Sequence, residues 1–188
     1  MANVNEQTLV RLERAKLEDL ICYPHAFTND YAIVSELSDS LDLDGICILP
    51  TRTIKCLDRE FERADLYRAA FQCFEYDWTA TLAGLVCDLR ADLVSLAHRG
   101  DLVALHLEEI DPDVAYIGSI NDIDDASVSI SLIDSYGQFM EEPMNVLLKN
   151  LTKVEVGTRY LQALAFAAKI LHPSKVPVAD HARGQPAK

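Results

Sequence analysis

Two stretches of the sequence carry the same succession of short apolar segments. Thr8-Leu-Val-Arg-Leu-Glu in the first matches Asp101-Leu-Val-Ala-Leu-His in the second, and Ser35-Glu-Leu-Ser-Asp-Ser matches Ser131-Leu-Ile-Asp-Ser. Each match is weak alone, but the matches keep one order along both stretches, as expected of an internal duplication. The sequence therefore predicts two copies of one structural unit.

Each predicted copy contains five short runs of β-branched and apolar residues, followed by a helical pattern. The predicted strands are 8–14, 19–26, 31–37, 45–50 and 53–57 in the first copy, and 101–109, 113–120, 126–133, 144–149 and 152–156 in the second. The helical patterns cover 59–74 and 158–171. Between the copies, apolar residues recur at helical spacing within 79–98 and predict an amphipathic helix packed between the two β units: Leu82, Leu85, Val86, Leu89, Leu93 and Leu96.

Short strands without long crossovers favour antiparallel pairing, and so small a sheet removes its edges by curling into a barrel. The predicted fold is mainly β, with two tandem five-stranded barrels, each followed by a helix and joined by the amphipathic helix. The predicted segments are 1–74 for the first barrel and helix, 75–98 for the linking helix, 99–171 for the second barrel and helix, and 172–188 for a flexible tail. The tail is predicted because it is rich in proline and poor in large apolar side chains.

The predicted unit resembles the Sm-like fold, a small and strongly bent five-stranded barrel. The resemblance covers 8–57 and 101–156 and consists of strand order, strand length and apolar pattern. An SH3-type barrel fits the strands nearly as well. An Sm-like fold implies RNA binding on a ring, through the loop after the second strand and the loop between the last two strands. The matching residues are Asn29, Asp30, Arg52, Asn121, Asp122, Lys149 and Asn150.

The charge of the chain points away from nucleic acid. Its 30 Asp and Glu residues outnumber 17 Lys and Arg, for a formal net charge of −13. Affinity for nucleic acid rests mainly on cationic contacts, so an acidic surface fits a basic protein partner better. Neither copy has the Arg-Gly pair that marks the last loop of Sm proteins. We expect a non-catalytic protein-interaction or adaptor module, a class that includes acidic inhibitors and immunity-type proteins. The alternative is an Sm-like RNA-binding protein.

The sequence offers no set of residues for catalysis or for a cofactor. It contains no P-loop, no Gly-x-Ser-x-Gly and no His-Glu-x-x-His motif. The cysteines have no Cys-x-x-Cys spacing and no histidine at ligand spacing, which gives zinc and dithiol chemistry no support: Cys22, Cys47, Cys56, Cys73 and Cys87. We therefore expect no enzymatic activity and no cofactor.

One loop has the spacing of a calcium site. Asp42, Asp44 and Gly45 fit the middle of a helix-loop-helix calcium loop, but that alignment puts Thr51 where the bidentate glutamate belongs. The flanking segments are strand-like, so we predict a strand connection without bound metal.

Location and assembly are predicted from what the chain lacks. Residues 1–14 have no hydrophobic signal segment, and no apolar run approaches the ~18 residues of a membrane span. We expect a cytoplasmic protein, since the unspaced cysteines fit a reducing compartment. Charge repulsion predicts a monomer or at most a dimer. The two copies are expected to meet through the helices at 59–74, 79–98 and 158–171.

Overall fold

The computed structural model describes residues 9–38, 41–72 and 76–172. The strands of the first half are β1 Val10–Arg14, β2 Leu20–Phe27, β3 Tyr31–Glu36, β4 Ile46–Pro50 and β5 Ile54–Asp58. Those of the second half are β6 Leu102–His106, β7 Ala115–Ile123, β8 Ser127–Leu132, β9 Met144–Leu147 and β10 Lys153–Val156. The helices in these residues are α1 Ala64–Phe71, α2 Thr79–Leu82, α3 Leu89–Arg99 and α4 Arg159–Leu171. The prediction of a mainly β chain is confirmed, while all of the predicted tail except His172 lies outside the described residues.

The two halves have the same order of elements. In each, four strands form an antiparallel meander, a single 3-10 turn follows, and the fifth strand pairs with the first. In each, a β-bulge interrupts the second strand, between Pro24 and Ala26 or between Ile120 and Asp122. A helix follows the fifth strand in both halves, α1 in the first and α4 in the second.

The halves join edge to edge in one sheet. The strand order is β5-β1-β2-β3-β4-β10-β6-β7-β8-β9, and every paired neighbour is antiparallel. Where β4 meets β10, Val154 lies opposite Ile48 and Glu155 opposite Cys47. This sheet is not closed, so the expectation of two separate tandem barrels is not confirmed. The copies were expected to meet through their helices. Helix α3 does pack in a core that both halves share, and the β4–β10 strand pair, which was not predicted, also joins them.

The largest hydrophobic core spans this strand pair. Ile46 and Ile48 of β4 pack in one cluster with Val154 and Val156 of β10 and with Leu93 of α3. A strand pair links two edges by hydrogen bonds, and a shared apolar face adds burial that separate barrels would lack. We expect the two halves to form one cooperative unit.

The predicted linking helix over 79–98 is broken into α2 and α3. Between them, Gly84 has φ +77° and Cys87 has φ +61°, which no α-helix accommodates. Asp88 then begins α3 as its N-cap, accepting a hydrogen bond from the backbone N–H of Ala91 at 2.9 Å. Five of the six apolar residues predicted to pack do so: Leu89, Leu93 and Leu96 are buried in the largest core, and Leu82 and Leu85 pack against it. The sixth, Val86 in the break, is 66% exposed.

Candidate functional site

Three turns meet at one end of the β4–β10 pair. In the β2–β3 turn, Thr28 Oγ1 accepts a hydrogen bond from the Tyr31 backbone N–H at 3.1 Å. The 3-10 turn Thr51–Thr53 is held against it, because Thr51 donates from its backbone N–H to the Asp30 carbonyl at 2.8 Å. The Thr51 hydroxyl donates to the Asn29 carbonyl at 2.5 Å. The first-half residues predicted from the Sm-like resemblance therefore lie together.

Arg52 links these turns to the second half. Its Nη2 atom donates to the carbonyls of Lys149 and Leu151, each at 2.7 Å. Its Nη1 atom lies 3.8 Å from a carboxylate oxygen of Glu109. Lys149 belongs to the 3-10 turn Leu148–Asn150, the counterpart of the turn that contains Arg52. The guanidinium thus ties the two halves together, which leaves it less free to bind a ligand.

Two cavities lie among these turns. One of about 670 Å³ is lined by Asn29, Asp30, Tyr31, Pro50, Thr51 and Arg52. Another of about 350 Å³ is lined by Tyr31, Pro50, Arg52, Asp88, Leu89, Arg90, Asp125, Leu148 and Lys149. Tyr31 borders both cavities, and burial together with the nearby Asp30 and Asp88 raises its pKa. The charged residues that line the two cavities balance, so this region has no excess of positive charge: Asp30, Asp88 and Asp125 against Arg52, Arg90 and Lys149.

The remaining predicted residues lie elsewhere. Asn121 and Asp122 are in strand β7 and not in the loop after it, and the Asn121 amide donates to Ser131 Oγ at 2.8 Å. The position that matches Asp30 is Ala126, whose carbonyl accepts from the Leu148 backbone N–H at 2.8 Å. Asn150 ends its 3-10 turn and lines neither cavity.

A cluster of charged side chains lies along the strand pair itself. Lys153 Nζ lies 3.2 Å from Glu36 Oε2 and 2.7 Å from Glu155 Oε1, and its side chain is 11% exposed. His106 Nε2 lies 3.2 Å from Glu155 Oε1, and Cys47 Sγ lies 3.7 Å from Glu36 Oε2. These five residues come from β3, β4, β6 and β10, which only the joining of the halves brings together. No local sequence signal marks them as neighbours.

The electrostatics of this cluster favour an internal ion pair. Burial lowers the pKa of Lys153, but the acidic groups around it outweigh burial and raise it above its usual value. Burial likewise raises the pKa of Glu155, yet the hydrogen bond with His106 and the charge of Lys153 bring it down to about 2. Glu155 is therefore ionised and Lys153 protonated at neutral pH.

Three of these groups are close enough to share a metal ion. One ligand atom each from Glu36, Cys47 and Glu155 lie within 4.8 Å of one another. Lys153 already supplies the positive charge, and burial holds the pKa of the Cys47 thiol well above its usual value. Since the thiolate is the form that binds metals, this chemistry suits an ion pair better than a metal site.

A second buried ion pair reinforces the contact between the halves. Arg14 in β1 donates from both Nη atoms to the Glu108 carboxylate, at 3.0 and 2.5 Å, and its side chain is fully buried. Arg14 Nη2 also donates to the Thr152 carbonyl at 3.2 Å. Burial raises the pKa of Glu108, but its hydrogen bonds with Arg14 and the charge of Arg14 outweigh burial and lower it.

The loop with calcium-like spacing holds the N-terminus of α4. Asp42 accepts a hydrogen bond from the Tyr76 hydroxyl at 2.8 Å and forms an ion pair with Arg159. Asp44 accepts from the Arg159 backbone N–H at 2.8 Å. Gly45 has φ +70° and lies against the Val156 carbonyl. The sequence showed the turn but gave no signal for this contact, since Arg159 is distant along the chain.

The acidic residues of the second half are largely unpaired. Residues 101–148 contain no lysine or arginine. Ion pairs reach Asp101, Glu108, Glu109 and Asp125 from basic residues outside this stretch. In the described part of the chain, no lysine or arginine nitrogen lies within 4 Å of the other carboxylates of the stretch: Asp111, Asp113, Asp122, Asp124, Asp134, Glu141 and Glu142.

Comparisons with models of known protein families, with curated proteins and with solved structures give no match. Among the described helices, none has the length and apolar character needed to cross a membrane.

Proposed function

We propose that this chain is a non-catalytic protein-interaction module that binds a basic protein through one end of its second half. The β6–β7 and β8–β9 connections lie toward the same end of these antiparallel strands. Glu108 and Glu109 in these connections form ion pairs with Arg14 and Arg52. The other acidic residues of the two connections, which we call the acidic end, are Asp111, Asp113, Asp134, Glu141 and Glu142. The absence of lysine and arginine from 101–148 is the observation that carries this proposal.

A surface of one sign of charge attracts partners of the opposite sign and speeds their association. Because no lysine or arginine nitrogen of the described residues lies within 4 Å of the carboxylates of the acidic end, a basic protein surface gains attraction there without first displacing such an ion pair. The buried ionisable groups at Lys153 and Arg14 are engaged in joining the halves. That engagement supports a binding role over a catalytic one, and an inhibitor that covers a basic site is one form of it.

The test uses a fluorescent lysine-rich peptide as the probe and two variants of equal net charge. Asp113→Asn, Glu141→Gln and Glu142→Gln together remove three charges from the acidic end. Glu18→Gln, Glu60→Gln and Glu62→Gln remove three exposed charges from the first half. We expect about tenfold weaker binding for the first variant and less than about twofold for the second, with all binding weakened by salt. Equal weakening in both variants would contradict the proposal.

RNA binding remains a second candidate because of one observation. Asn29, Asp30, Tyr31 and Arg52 surround a cavity that adjoins the one lined by Lys149. Tyr31 offers a ring on which a base could stack. Retention on heparin or RNA columns at low salt, lost in Tyr31→Ala and Arg52→Ala, would favour this function over the first.

We also propose that the two halves are copies of one Sm-like or SH3-like barrel unit. The shared strand order, the shared bulge in the second strand and the shared 3-10 turn support this origin. A cytoplasmic location is part of the proposal and is supported by the free thiols of Cys22, Cys47, Cys56 and Cys87.

A further inference from the structure

Helix α4 has apolar side chains on two faces. Leu161, Leu164 and Ala168 are buried, in a cluster shared with Leu102 of β6. On its other side the large apolar residues are exposed, Tyr160 by 56%, Phe166 by 68%, Ile170 by 61% and Leu171 by 62%. The polar residues of the helix are Arg159, Gln162 and Lys169.

This composition differs from that of a helix that faces water. A helix on the surface of a globular protein carries polar residues opposite its buried stripe, whereas one that is apolar all round is covered on both sides. Helix α3 follows the first pattern, with Leu93 and Leu96 buried and Arg90 and His98 exposed. The outer face of α4 therefore has the character of a contact surface.

We propose that a second copy of this chain covers the outer face of α4, forming a two-fold symmetric dimer. Tyr160, Ala163, Ala167 and Ile170 follow one another at intervals of three, four and three residues, the spacing of a helix-helix seam. The two alanines lie at the middle of this seam and allow close approach of two antiparallel helices. Each copy then contacts the other through the same surface, as a two-fold axis requires.

The exposed area approaches that of such an interface. The large exposed apolar residues of α4 together offer on the order of 500 Å² per copy, somewhat less than the ~800 Å² per partner of a standard interface. The dimer is expected to be of moderate affinity.

Charge favours this surface over others for self-association. The chain carries a formal charge of −13, so most contacts between two copies place acid against acid. The charged residues of α4 are Arg159 and Lys169, with no acidic residue in the helix. Two copies that meet through α4 bring together a less acidic part of each chain.

The experiment is sedimentation velocity of the full chain from about 1 to about 200 µM, the range in which a moderate-affinity dimer forms. Ile170→Glu places a charge in the seam at a 61% exposed position, and Leu66→Glu, at a 53% exposed position on α1, is the matched control. We expect the wild type and Leu66→Glu to dimerise with rising concentration and Ile170→Glu to stay monomeric. Circular dichroism checks that each variant is folded, and Tyr160→Ser replaces Ile170→Glu if that variant is not.

A wild type that stays monomeric throughout would overturn the proposal. Association that persists unchanged in Ile170→Glu and Tyr160→Ser would do the same, because it would assign the contact to another surface, such as the open edges of β5 and β9. The proposed basic partner is independent of this outcome, since the acidic end and α4 are tested by different variants.

Discussion

His25 and Asn121 occupy corresponding positions in the two halves. Each lies at the bulge of the second strand, and each hydrogen-bonds a serine of the third strand, Ser35 at 2.8 Å and Ser131 at 2.8 Å. The surroundings of His25 are more buried than those of Asn121, because Ser35 is fully buried and Trp78 packs edge-on against the His25 ring. Burial lowers the pKa of His25 to about 4.

The pH dependence of stability follows from this residue. Between pH ~6.5 and ~4 the unfolded chain binds a proton at residue 25 that the folded chain does not, so the free energy of unfolding falls as pH falls through that range. We expect His25→Asn, which installs the residue of the second half, to reduce this fall. Urea unfolding from pH 7 to 4 measures it, with His98→Asn at an exposed position as the control. A pH profile unchanged by His25→Asn would show that burial at this site does not govern the titration.

Calcium is expected to leave the stability of the protein unchanged. The Asp42 carboxylate is engaged by Tyr76 and Arg159, and Asp44 accepts from the Arg159 backbone. A metal would have to displace these donors, and the position of the bidentate glutamate is held by Thr51. Thermal melts with added calcium should show no shift, because only a ligand that prefers the folded state raises the melting temperature. A clear rise at sub-millimolar calcium would reverse this conclusion.

Among the secondary-structure elements, the contact between β4 and β10 depends on Gly45, the residue directly before β4, which tolerates no larger side chain. Gly45 has φ +70°, and a Cβ there would lie 2.6 Å from the Val156 carbonyl of β10. Gly100, at the C-terminus of α3, has φ +71° but no atom within 4 Å of such a Cβ. Both substitutions to alanine incur the backbone cost of a positive φ, about 1 kcal/mol, and Gly45→Ala adds the clash.

We therefore expect Gly45→Ala to lower the free energy of unfolding by at least about 2 kcal/mol more than Gly100→Ala. Urea denaturation of the two variants measures the difference. Equal losses would mean that β10 does not lie against Gly45.

Local sequence patterns predicted the elements well but not all their boundaries. Short runs of β-branched and apolar residues located the strands, because such residues fit a buried, extended chain. The break between α2 and α3 was missed because the leucine spacing continues through it, although Gly84 and the capping residue Asp88 marked it. Asn121 was assigned to a loop because the second strand of that half was predicted to end at residue 120, whereas β7 extends to Ile123 and Asn121 occupies a bulge within it.

At the scale of the whole molecule, the joining of the halves depends on contacts between distant parts of the sequence. The sequence did contain one signal. Strand β4 is an uninterrupted apolar run, Ile-Cys-Ile-Leu-Pro, and all its residues are buried, whereas β9 includes the polar Asn145, which is exposed together with Leu147. A continuous apolar run of this kind is typical of a strand with neighbours on both sides. The residues that meet Lys153 come from both halves, so no spacing in the sequence could have indicated the cluster.

The β4–β10 pair makes one sheet of the two halves. Amide hydrogen exchange resolved by NMR tests it directly, because β4 and β9 hold the same place in their halves and only β4 has a second neighbour. We expect slow exchange at every amide of Ile46–Pro50 that has an N–H. In Met144–Leu147, every second amide should exchange rapidly, because it points away from β8. Rapid exchange at alternate amides of β4, equal to that in β9, would contradict this pairing.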